Sequence, residues 1–331
     1  MSKPGARNLI TDVAGLRVGN AVDKQMKTGT TVILADEPAV AAVAVAGGGP
    51  GTRETDLLAA DTLVDQVDAI TLSGGSAYGL AAADGVVAEL GAQGRGFKLA
   101  SAEGVPKTPI VPGAILYDLA NRGDKDWGAT PPYQDLGRKA LKAASLEFDI
   151  GAAGAGFGAL AGRHRGGLGS ASVITEDGLT VGALAAVNCF GSVFMPNTKT
   201  FWAWPYEMEN EFGDMQPPAG YKVDAEDWGA AKINPQPGQN TTIACVATDV
   251  ALSAGQAKRI AQMALSGFSR AIRPVFAPFD GDAVFVLSTG KVALPEPDAP
   301  ALTRIGELAA NTLARSIARG VYEAARNGPK S

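Results

Sequence analysis

The last third of the chain alternates between two hydrophobic periodicities, and this alternation restricts the fold more than any other feature. Residues 241–250 (TTIACVATDV) form an apolar, β-branched run typical of a buried strand. Ser253 precedes a segment, ending near residue 271, in which apolar side chains recur at helical spacing, so Ser253 is expected to cap a helix. Residues 283–288 indicate another strand, and residues 302–326 indicate a long helix with a broad apolar stripe. Strands followed by helices predict a layered α/β architecture.

Shorter apolar runs in the first two thirds also indicate strands. They cover residues 30–35, 40–46, 67–72 and 181–187. A turn that contains a proline separates the first two, which are therefore expected to pair with each other. The last of them runs directly to Asn188. A helix of small side chains is expected over residues 77–90, and its start overlaps a glycine-rich segment, residues 74–79.

That glycine-rich segment, GGSAYG, does not match a phosphate-binding loop. It lacks the Lys-Ser/Thr of a P-loop, and Tyr78 replaces the second glycine of a nucleophile elbow. It is interpreted as a close contact between a strand and a helix.

A long segment of different character, residues 196–239, separates these patterns from residue 241. It contains six prolines, three of the four tryptophans and an acidic patch around Glu207 to Asp214, and neither periodicity persists in it. Irregular segments of this length inside a compact chain are usually functional or linkers. The aromatic residues Trp202 and Trp204 are predicted to shape a substrate channel.

Composition narrows the class of protein. The chain has 331 residues, 42 of them glycine, and only 6% are aromatic, which predicts a globular core of small, closely packed side chains. A net charge of -5 without a basic block argues against nucleic-acid binding, and the apolar runs are too short to span a membrane. The first residues lack the apolar run of a signal peptide, which predicts a cytoplasmic location. Cys189 and Cys245 are expected to be buried thiols, and no metal or other cofactor is predicted.

The single histidine, His164, limits the chemistry that the chain can perform. It lies between two arginines in a sequence typical of a basic turn, so a catalytic base is expected elsewhere. Cleavage before Thr241 would place a free α-amine beside a hydroxyl on the same residue. An α-amine titrates at about 7.7–8.0 and can act as a general base for that hydroxyl. The residues alone also fit a turn that leads into a strand, which is the commoner meaning of Asn240-Thr241.

The chain resembles the L-aminopeptidase/D-esterase peptidase family, and most of all its branch of endo-type 6-aminohexanoate-oligomer (nylon oligomer) hydrolases. The resemblance extends over nearly the whole chain and is densest at GQNTTIACVATDVALS (238–253). Further matches are GGGPGTRETDLL (47–58), LSGGSAYGLAAADGV (72–86), VGALAAVNCFG (181–191) and RAIRPVFAPFDGDAVFVLSTG (270–290). The resemblance implies a four-layer αββα sandwich of the N-terminal-nucleophile type. It also implies one hydrolase domain, 1–331, that cleaves itself into fragments 1–240 and 241–331.

The same resemblance supplies roles for individual residues. Cleavage is expected at Asn240-Thr241, with Thr241 as nucleophile, and Asn188 matches the family's oxyanion-stabilising asparagine. Asp280 and Asp282 match the acidic pair of the nylon-oligomer hydrolases, where they would bind either the new amine or the ammonium of a substrate. An Asp-Gly turn is the structural alternative for this pair. The aminopeptidase branch typically carries Ser and Glu instead, which argues against simply transferring the β-peptide specificity of that branch to this chain.

Two further positions differ in how closely they match. Arg163 falls where the nylon-oligomer hydrolase has a lysine, and because arginine stays protonated, Arg163 is predicted to act electrostatically or structurally. Tyr117 matches a substrate-side tyrosine, with a core tyrosine as the alternative.

Three functions remain open from the sequence. The first is a threonine-dependent hydrolase of short peptides or 6-aminohexanoate oligomers, with D/L- or β-aminopeptidase activity as a variant. The second is an acyltransferase of the ornithine acetyltransferase type, and the third is a scaffold without activity. The expected partners are a small amide or peptide substrate and further copies of the chain, because the family implies a homo-oligomer of cleaved heterodimers.

Overall fold

The computed structural model describes residues 2–100, 102–232 and 240–328. This part of the chain has a mixed α/β fold with eleven strands and four α-helices. The strands are β1 (Leu16–Asp23), β2 (Thr28–Val45), β3 (Thr52–Arg53), β4 (Gln66–Ser73), β5 (Gly113–Ile115), β6 (Leu160–Ala161), β7 (His164–Arg165), β8 (Gly167–Ile174), β9 (Thr180–Asn188), β10 (Thr241–Val250) and β11 (Ala283–Val292). The helices are α1 (Ala82–Ala92), α2 (Tyr133–Lys142), α3 (Ala254–Ala271) and α4 (Asp298–Asn327).

Nine of these strands form one sheet. Its order is β3-β5-β4-β2-β11-β10-β9-β8, and β1 pairs with β2 outside that path. Strand β10 pairs antiparallel with β9 and parallel with β11. Strands β6 and β7 form a separate hairpin. Residues 241–250 are therefore in the interior of the sheet, as expected of a fully buried strand.

The first two predicted strands are a single long strand, so the prediction that they pair with each other is wrong. β2 pairs with β4 along one edge, while its other edge pairs first with β1 and then with β11. The register with β4 shifts between Leu34 and Ala39, and Pro38 lies in that shift. A proline has no N–H for a ladder, so it fits where the strand changes its partner.

Of the four apolar clusters in the described residues, three lie against the sheet. One joins the sheet to α3 and α4 and includes Val246, Phe268 and Leu313. Another lies on the opposite face and combines β1, β2 and β4 with β10 and β11, while a third joins α1 and α2 to the sheet. The predicted close packing of small residues is observed where β8 meets α4, because a Cβ on Gly169 would lie 1.8 Å from Ser316 O.

The helices of the last third begin and end close to the predicted residues. Ser253 caps α3 by accepting a hydrogen bond from Gln256 N, and the Gln256 side chain accepts a bond from Ser253 N. The predicted helix 77–90 is divided into a 3₁₀ turn, Ser76–Ala81, and helix α1. Gly75, which precedes the 3₁₀ turn, has φ +89°, a backbone conformation in which a residue with a side chain would be strained.

The described part of the long irregular segment, residues 196–232, contains one short 3₁₀ turn, Trp204–Tyr206. Several of its side chains are nevertheless buried, among them Phe201 and Phe212. Residues 233–239, which complete the predicted segment, lie outside the described residues. None of the helices in the described ranges is long and apolar enough to cross a membrane.

Candidate active site

Three strand ends meet at one edge of the sheet. β9 is antiparallel to β10, so the last residue of β9, Asn188, pairs with the first residue of β10, Thr241. β11 is parallel to β10, so the residues that precede the two strands are also neighbours, and Asn240 bridges Asp280. The topology therefore brings together residues from three segments that are far apart in the sequence.

The peptide bond between Asn240 and Thr241 lies inside this group. Thr241 is 2% exposed, and its hydroxyl donates a short hydrogen bond to the carbonyl oxygen of Asn240. The same oxygen accepts a hydrogen bond of 3.0 Å from Gly281 N. The side chain of Asn240 is fully buried, and neither of its amide atoms has a hydrogen-bond partner among the described residues.

Asp280 and Asp282 form a buried pair of carboxylates beside Thr241. Asp282 accepts hydrogen bonds from Thr242 N at 2.7 Å and Phe276 N at 3.3 Å. Asp280 accepts one from Ala277 N at 3.1 Å, and the main chain of Phe190 also acts to lower the pKa of this carboxyl. Its Oδ1 has no partner at hydrogen-bond distance and angle within the described ranges. Burial and the neighbouring charge of Asp280 raise the pKa of Asp282 to about 7, and burial also raises the pKa of Asp280. Two carboxylates so placed hold protons more tightly than exposed ones.

Glycines allow the backbone to come this close to the site. The amides of Ala46 and Gly49 donate to the carbonyls of Asp282 and Asp280 at 2.9 and 2.7 Å. A Cβ on Gly47 would lie 2.3 Å from Asp280 O, and backbone atoms cannot move aside as a flexible side chain would. The glycine-rich segment at 47–51 therefore supports the loop that carries both aspartates.

Asn188 is held in one orientation by its neighbours. Its Oδ1 accepts a hydrogen bond from Leu160 N at 2.9 Å, and its Nδ2 donates to Tyr117 O, also at 2.9 Å. Tyr117 thus joins the site through its main chain, while the substrate-binding role predicted for its side chain stays a prediction. A primary amide fixed beside Thr241 is a suitable hydrogen-bond donor to a developing oxyanion.

Lys232 is a member of this group that the sequence reasoning missed. Its Nζ donates to Asn188 O at 3.1 Å and lies 3.5 Å from Asn188 Oδ1. Burial lowers the pKa of Lys232 to about 8, and the charges of Asp280 and Asp282 offset part of that effect. No periodicity or motif marks Lys232, and a lone lysine in an irregular, acidic segment gives no signal of its own.

Within the described residues, Arg163 forms no hydrogen bond or ion pair with the residues around Thr241. It lies in the turn of the β6–β7 hairpin, where its main-chain N donates to Ala230 O at 2.8 Å. Its exposed side chain and His164 line a separate cavity of about 270 Å³, and the His164 ring packs against Phe194. The electrostatic or structural role predicted for Arg163 stays a prediction.

Neither cysteine is suited to be the nucleophile. Cys189 and Cys245 are free and buried, as predicted. Burial raises the pKa of the Cys189 thiol to about 12 and raises that of Cys245 as well. A thiol is nucleophilic as the thiolate, so both side chains are inert near neutral pH.

An aromatic group borders the site. The ring of Phe190 packs edge-on against Phe279 and against Trp228, with centroid distances of 4.9 and 5.9 Å. Trp202 is instead covered by the guanidinium of Arg273, 4.1 Å from its ring centroid. Through Phe190, Trp228 therefore borders this group.

The geometry brings together a buried hydroxyl, the carbonyl that it contacts, two neighbouring carboxyl groups and an oriented side-chain amide, a combination that suits the hydrolysis of an amide bond. The model of peptidase family S58 matches residues 8–329. An uncharacterized aminopeptidase of Mycobacterium tuberculosis is 41% identical over 96% of this chain and 94% of its own. A 6-aminohexanoate-oligomer endohydrolase of a Kocuria species is 31% identical over 88% of this chain and 78% of its own.

Solved structures share the fold. The β-aminopeptidase of a Burkholderia species matches with a TM-score of 0.69 at 22% identity, over 97% of this chain and 88% of its own. The L-aminopeptidase D-Ala-esterase/amidase of Ochrobactrum anthropi, described as a variant of the Ntn hydrolase fold, matches with a TM-score of 0.67 at 21% identity, over 96% and 86%. The chain belongs to peptidase family S58, which makes it a hydrolase of the peptidase type with an Ntn-hydrolase-like fold.

Proposed function

We propose that the chain is an N-terminal-nucleophile amide hydrolase that cleaves itself between Asn240 and Thr241. The observation that carries the proposal is the position of the Thr241 hydroxyl, which contacts the carbonyl of the preceding residue in a buried site beside two carboxylates. Membership of a peptidase family supports a hydrolytic outcome. Thr241 and Asn240 are then the residues of the cleavage site, and Thr241 is also the nucleophile of the mature enzyme.

Self-cleavage would proceed as an N-to-O acyl shift. Thr241 Oγ attacks the carbonyl carbon of Asn240 and gives up its proton to the Asp280–Asp282 pair, and the developing oxyanion keeps its hydrogen bond to Gly281 N. The C–N bond then breaks, its nitrogen takes a proton and becomes the α-amine of Thr241, and an ester joins the two residues. Water hydrolyses the ester, which leaves a carboxylate on Asn240 and restores the hydroxyl of Thr241.

The mature enzyme would use the new α-amine as its base. The amine takes the hydroxyl proton of Thr241 while the oxygen attacks the amide carbonyl of a substrate. Asn188 donates to the oxyanion, an interaction worth about 2.7–4 kcal/mol where one such donor has been removed from an enzyme. The leaving amine takes the proton, and water releases the acyl group from Thr241.

The aspartate pair would serve the amine. Asp282 is occupied by the main chain of Thr242 and Phe276, whereas Asp280 Oδ1 has no hydrogen-bond partner in the described part of the chain. An ammonium on Thr241 would supply that partner. This division favours Asp280 as the group that holds the amine, and Asp282 as the group that holds the strand.

Intact-mass measurement of the purified chain tests the proposal. The wild type should yield fragments 1–240 and 241–331, whose masses sum to that of the chain plus one water. Thr241→Ala should stay intact because the attacking oxygen is gone. Thr242→Val is the matched control, since the neighbouring hydroxyl is buried and has no hydrogen-bond partner in the described residues, so this variant should cleave. An uncut wild type under all conditions rejects the mechanism.

The substrate class proposed is short peptides or 6-aminohexanoate oligomers. The names of the relatives support both, since some are called aminopeptidases and others oligomer endohydrolases. A panel of L- and D-amino-acid amides, β-peptides and aminohexanoate oligomers would rank them by kcat/KM. Adding free amino acids as acceptors separates hydrolysis from acyl transfer, because a transferase would form a new amide while a hydrolase would release only the acid.

The finer architecture belongs to the same proposal. A four-layer αββα arrangement is supported by the apolar cluster that joins β1, β2 and β4 to β10 and β11 on one face of the sheet. The helix pairs α1–α2 and α3–α4, which pack on the sheet through the other two clusters, support it as well. We also expect a homo-oligomer of cleaved heterodimers, which light scattering of the purified protein would measure. The cytoplasmic location stays a prediction.

A further inference from the structure

Lys232 lies at the end of a backbone segment that is fixed on both sides. This segment, residues 227–232, is called the strap here. Its Ala230 O accepts a hydrogen bond of 2.8 Å from Arg163 N, and Lys232 N donates to Phe190 O at 2.9 Å. A Cβ on Gly162 would lie 2.2 Å from Ala230 O, so the hairpin turn and the strap are in direct contact. The main chain therefore fixes where the lysine side chain begins.

The ammonium of Lys232 is directed into the active-site group and not into solvent. It donates to the main-chain oxygen of Asn188 at 3.1 Å, with Asn188 Oδ1 at 3.5 Å. Asn188 is the strand residue that faces Thr241 across the β9–β10 ladder. A lysine normally extends its charged end to water, so a half-buried ammonium with these acceptors is held there by the site.

Three titratable groups act on the charge of this ammonium. They are the Cys189 thiol after β9 and the carboxyls of Asp280 and Asp282 before β11. The thiol stays neutral because burial raises its pKa, so Lys232 is the cation opposed to the two acids. Its charge lowers the pKa of both carboxyls, against the effect of burial.

We propose that Lys232 is a positioning residue for cleavage at Asn240-Thr241, because it fixes the Asn188 end of β9 and provides the positive charge that keeps the Asp280–Asp282 pair able to accept a proton. The inference rests on the self-cleavage proposed above. Without this cation, two buried carboxyls next to each other would retain their protons to a higher pH. The proton of the Thr241 hydroxyl would then have no acceptor at neutral pH.

The test compares the pH dependence of self-cleavage in Lys232→Met and in the wild type. The full chain is synthesised by in vitro translation and transferred at once into buffers of different pH. The appearance of fragments 1–240 and 241–331 is then followed by mass spectrometry. We expect the midpoint of the acid limb to move upward by about one pH unit, which is about a tenfold loss of rate on that limb. Lys232→Arg, which keeps the charge, should return the midpoint close to that of the wild type.

Lys258 provides a matched control. It is also partly buried, and its Nζ also donates to a main-chain oxygen, Val43 O at 2.6 Å. Lys258→Met should leave the midpoint in place. If Lys232→Met instead lowers the rate equally at every pH, the lysine only anchors the strap and the proposal is wrong.

A measurement without activity separates this inference from the proposed function. In a Thr241→Ala chain, which cannot cleave itself, Lys232→Met should make the free energy of unfolding fall more steeply as pH rises from 5 to 8. The reason is that ionised carboxyls then lack their cation in the folded state. An unchanged slope overturns the role of Lys232, whereas an uncut wild type with a steeper slope overturns only the self-cleavage.

Discussion

At the scale of single residues, the absence of a side chain at position 281 is a steric requirement of the site. A Cβ there would lie 2.6 Å from Thr241 Oγ1 and 3.0 Å from Gly49 O. The amide of the same glycine donates to the carbonyl of Asn240. Gly281 thus determines where the hydroxyl lies and also bonds to the oxygen on which charge would develop.

Gly281→Ala should slow self-cleavage at least about tenfold, because displacing the hydroxyl raises the barrier by about 1.4 kcal/mol or more. The rate of fragment appearance by intact mass measures this. Gly255→Ala is the control, since a Cβ at that position meets no atom within 4 Å. A Gly281→Ala chain that cleaves as fast as the wild type would contradict the described position of Thr241.

The pKa of Asp282 gives a second prediction at this scale. Its folded-state pKa, about 7, lies above the unfolded value near 3.8, so the folded state binds the proton more tightly. The resulting stabilisation is complete below pH 4 and is lost as pH rises through 7. In a Thr241→Ala chain, Asp282→Asn should therefore gain stability relative to its parent between pH 5 and 8, whatever constant cost the lost hydrogen bonds impose.

Urea unfolding at pH 5, 6, 7 and 8 measures that difference. Asp124→Asn serves as the control, because Asp124 is exposed and its pKa is lowered by hydrogen bonds from Asp126 N and the Gln25 side chain. The control should show no such gain with rising pH. A constant difference between Asp282→Asn and its parent would mean that Asp282 is already ionised at pH 5.

At the scale of elements, a buried ion pair connects α4 to the irregular segment. Arg315 is 2% exposed and bonds Glu211 through Nε and Nη2, with Nη1 on Ser172 O at 2.8 Å. Nη2 also reaches Asn8 Oδ1 at 3.0 Å. The acidic patch of the sequence is thus partly an internal structural element, because Glu211 faces inward to this arginine.

Arg315→Met should cost about 3–5 kcal/mol of unfolding free energy, because Glu211 would stay buried without its main partner. Arg304→Met on the same helix is the control. The Arg304–Asp177 pair has two hydrogen bonds of 2.7 Å but is exposed, so its loss should cost less than about 1 kcal/mol. Equal losses in the two variants would show that Arg315 does not hold the segment.

At the scale of the whole molecule, the proposed cut falls between elements that remain packed together. β10 would belong to the small fragment, yet it pairs with β9 of the large fragment over Thr241 to Thr248. α4, also in the small fragment, packs on β8 and β9. The sheet and the apolar core therefore contain residues of both fragments.

The two fragments should consequently migrate together on size-exclusion chromatography and separate only under denaturing conditions. Burial of the apolar faces of β10 and α4 provides the physical reason. The control is the intact Thr241→Ala chain, which should elute at the same volume. Separate native peaks for the two fragments would contradict the packing described for β9 and β10.

Local motifs predict some of the site residues, whereas contacts between distant strands could not be predicted from the sequence. The family resemblance predicts Thr241, Asn188, Asp280 and Asp282 as site residues, and the structure brings them together at strand ends that local apolar runs mark. The turn predicted between residues 35 and 40 is wrong, because these residues continue strand β2. One edge of β2 pairs first with β1 and then with β11, and the local sequence does not encode those partners. Arg163 was found by motif position alone, and the fold places its side chain in the neighbouring cavity.

By itself the sequence determined strands β4, β9, β10 and β11, helices α3 and α4, the cap at Ser253 and the family, since each depends on neighbouring residues or on ordered motifs. Only the tertiary structure decided the partners of β2, the hydrogen bond between Gly281 and the Asn240 carbonyl, and the presence of Lys232. Lys232 and Asn188 are 44 positions apart, and no local pattern encodes their contact. Burial then sets the charge of the acid pair, because desolvation arises only when distant segments close around it.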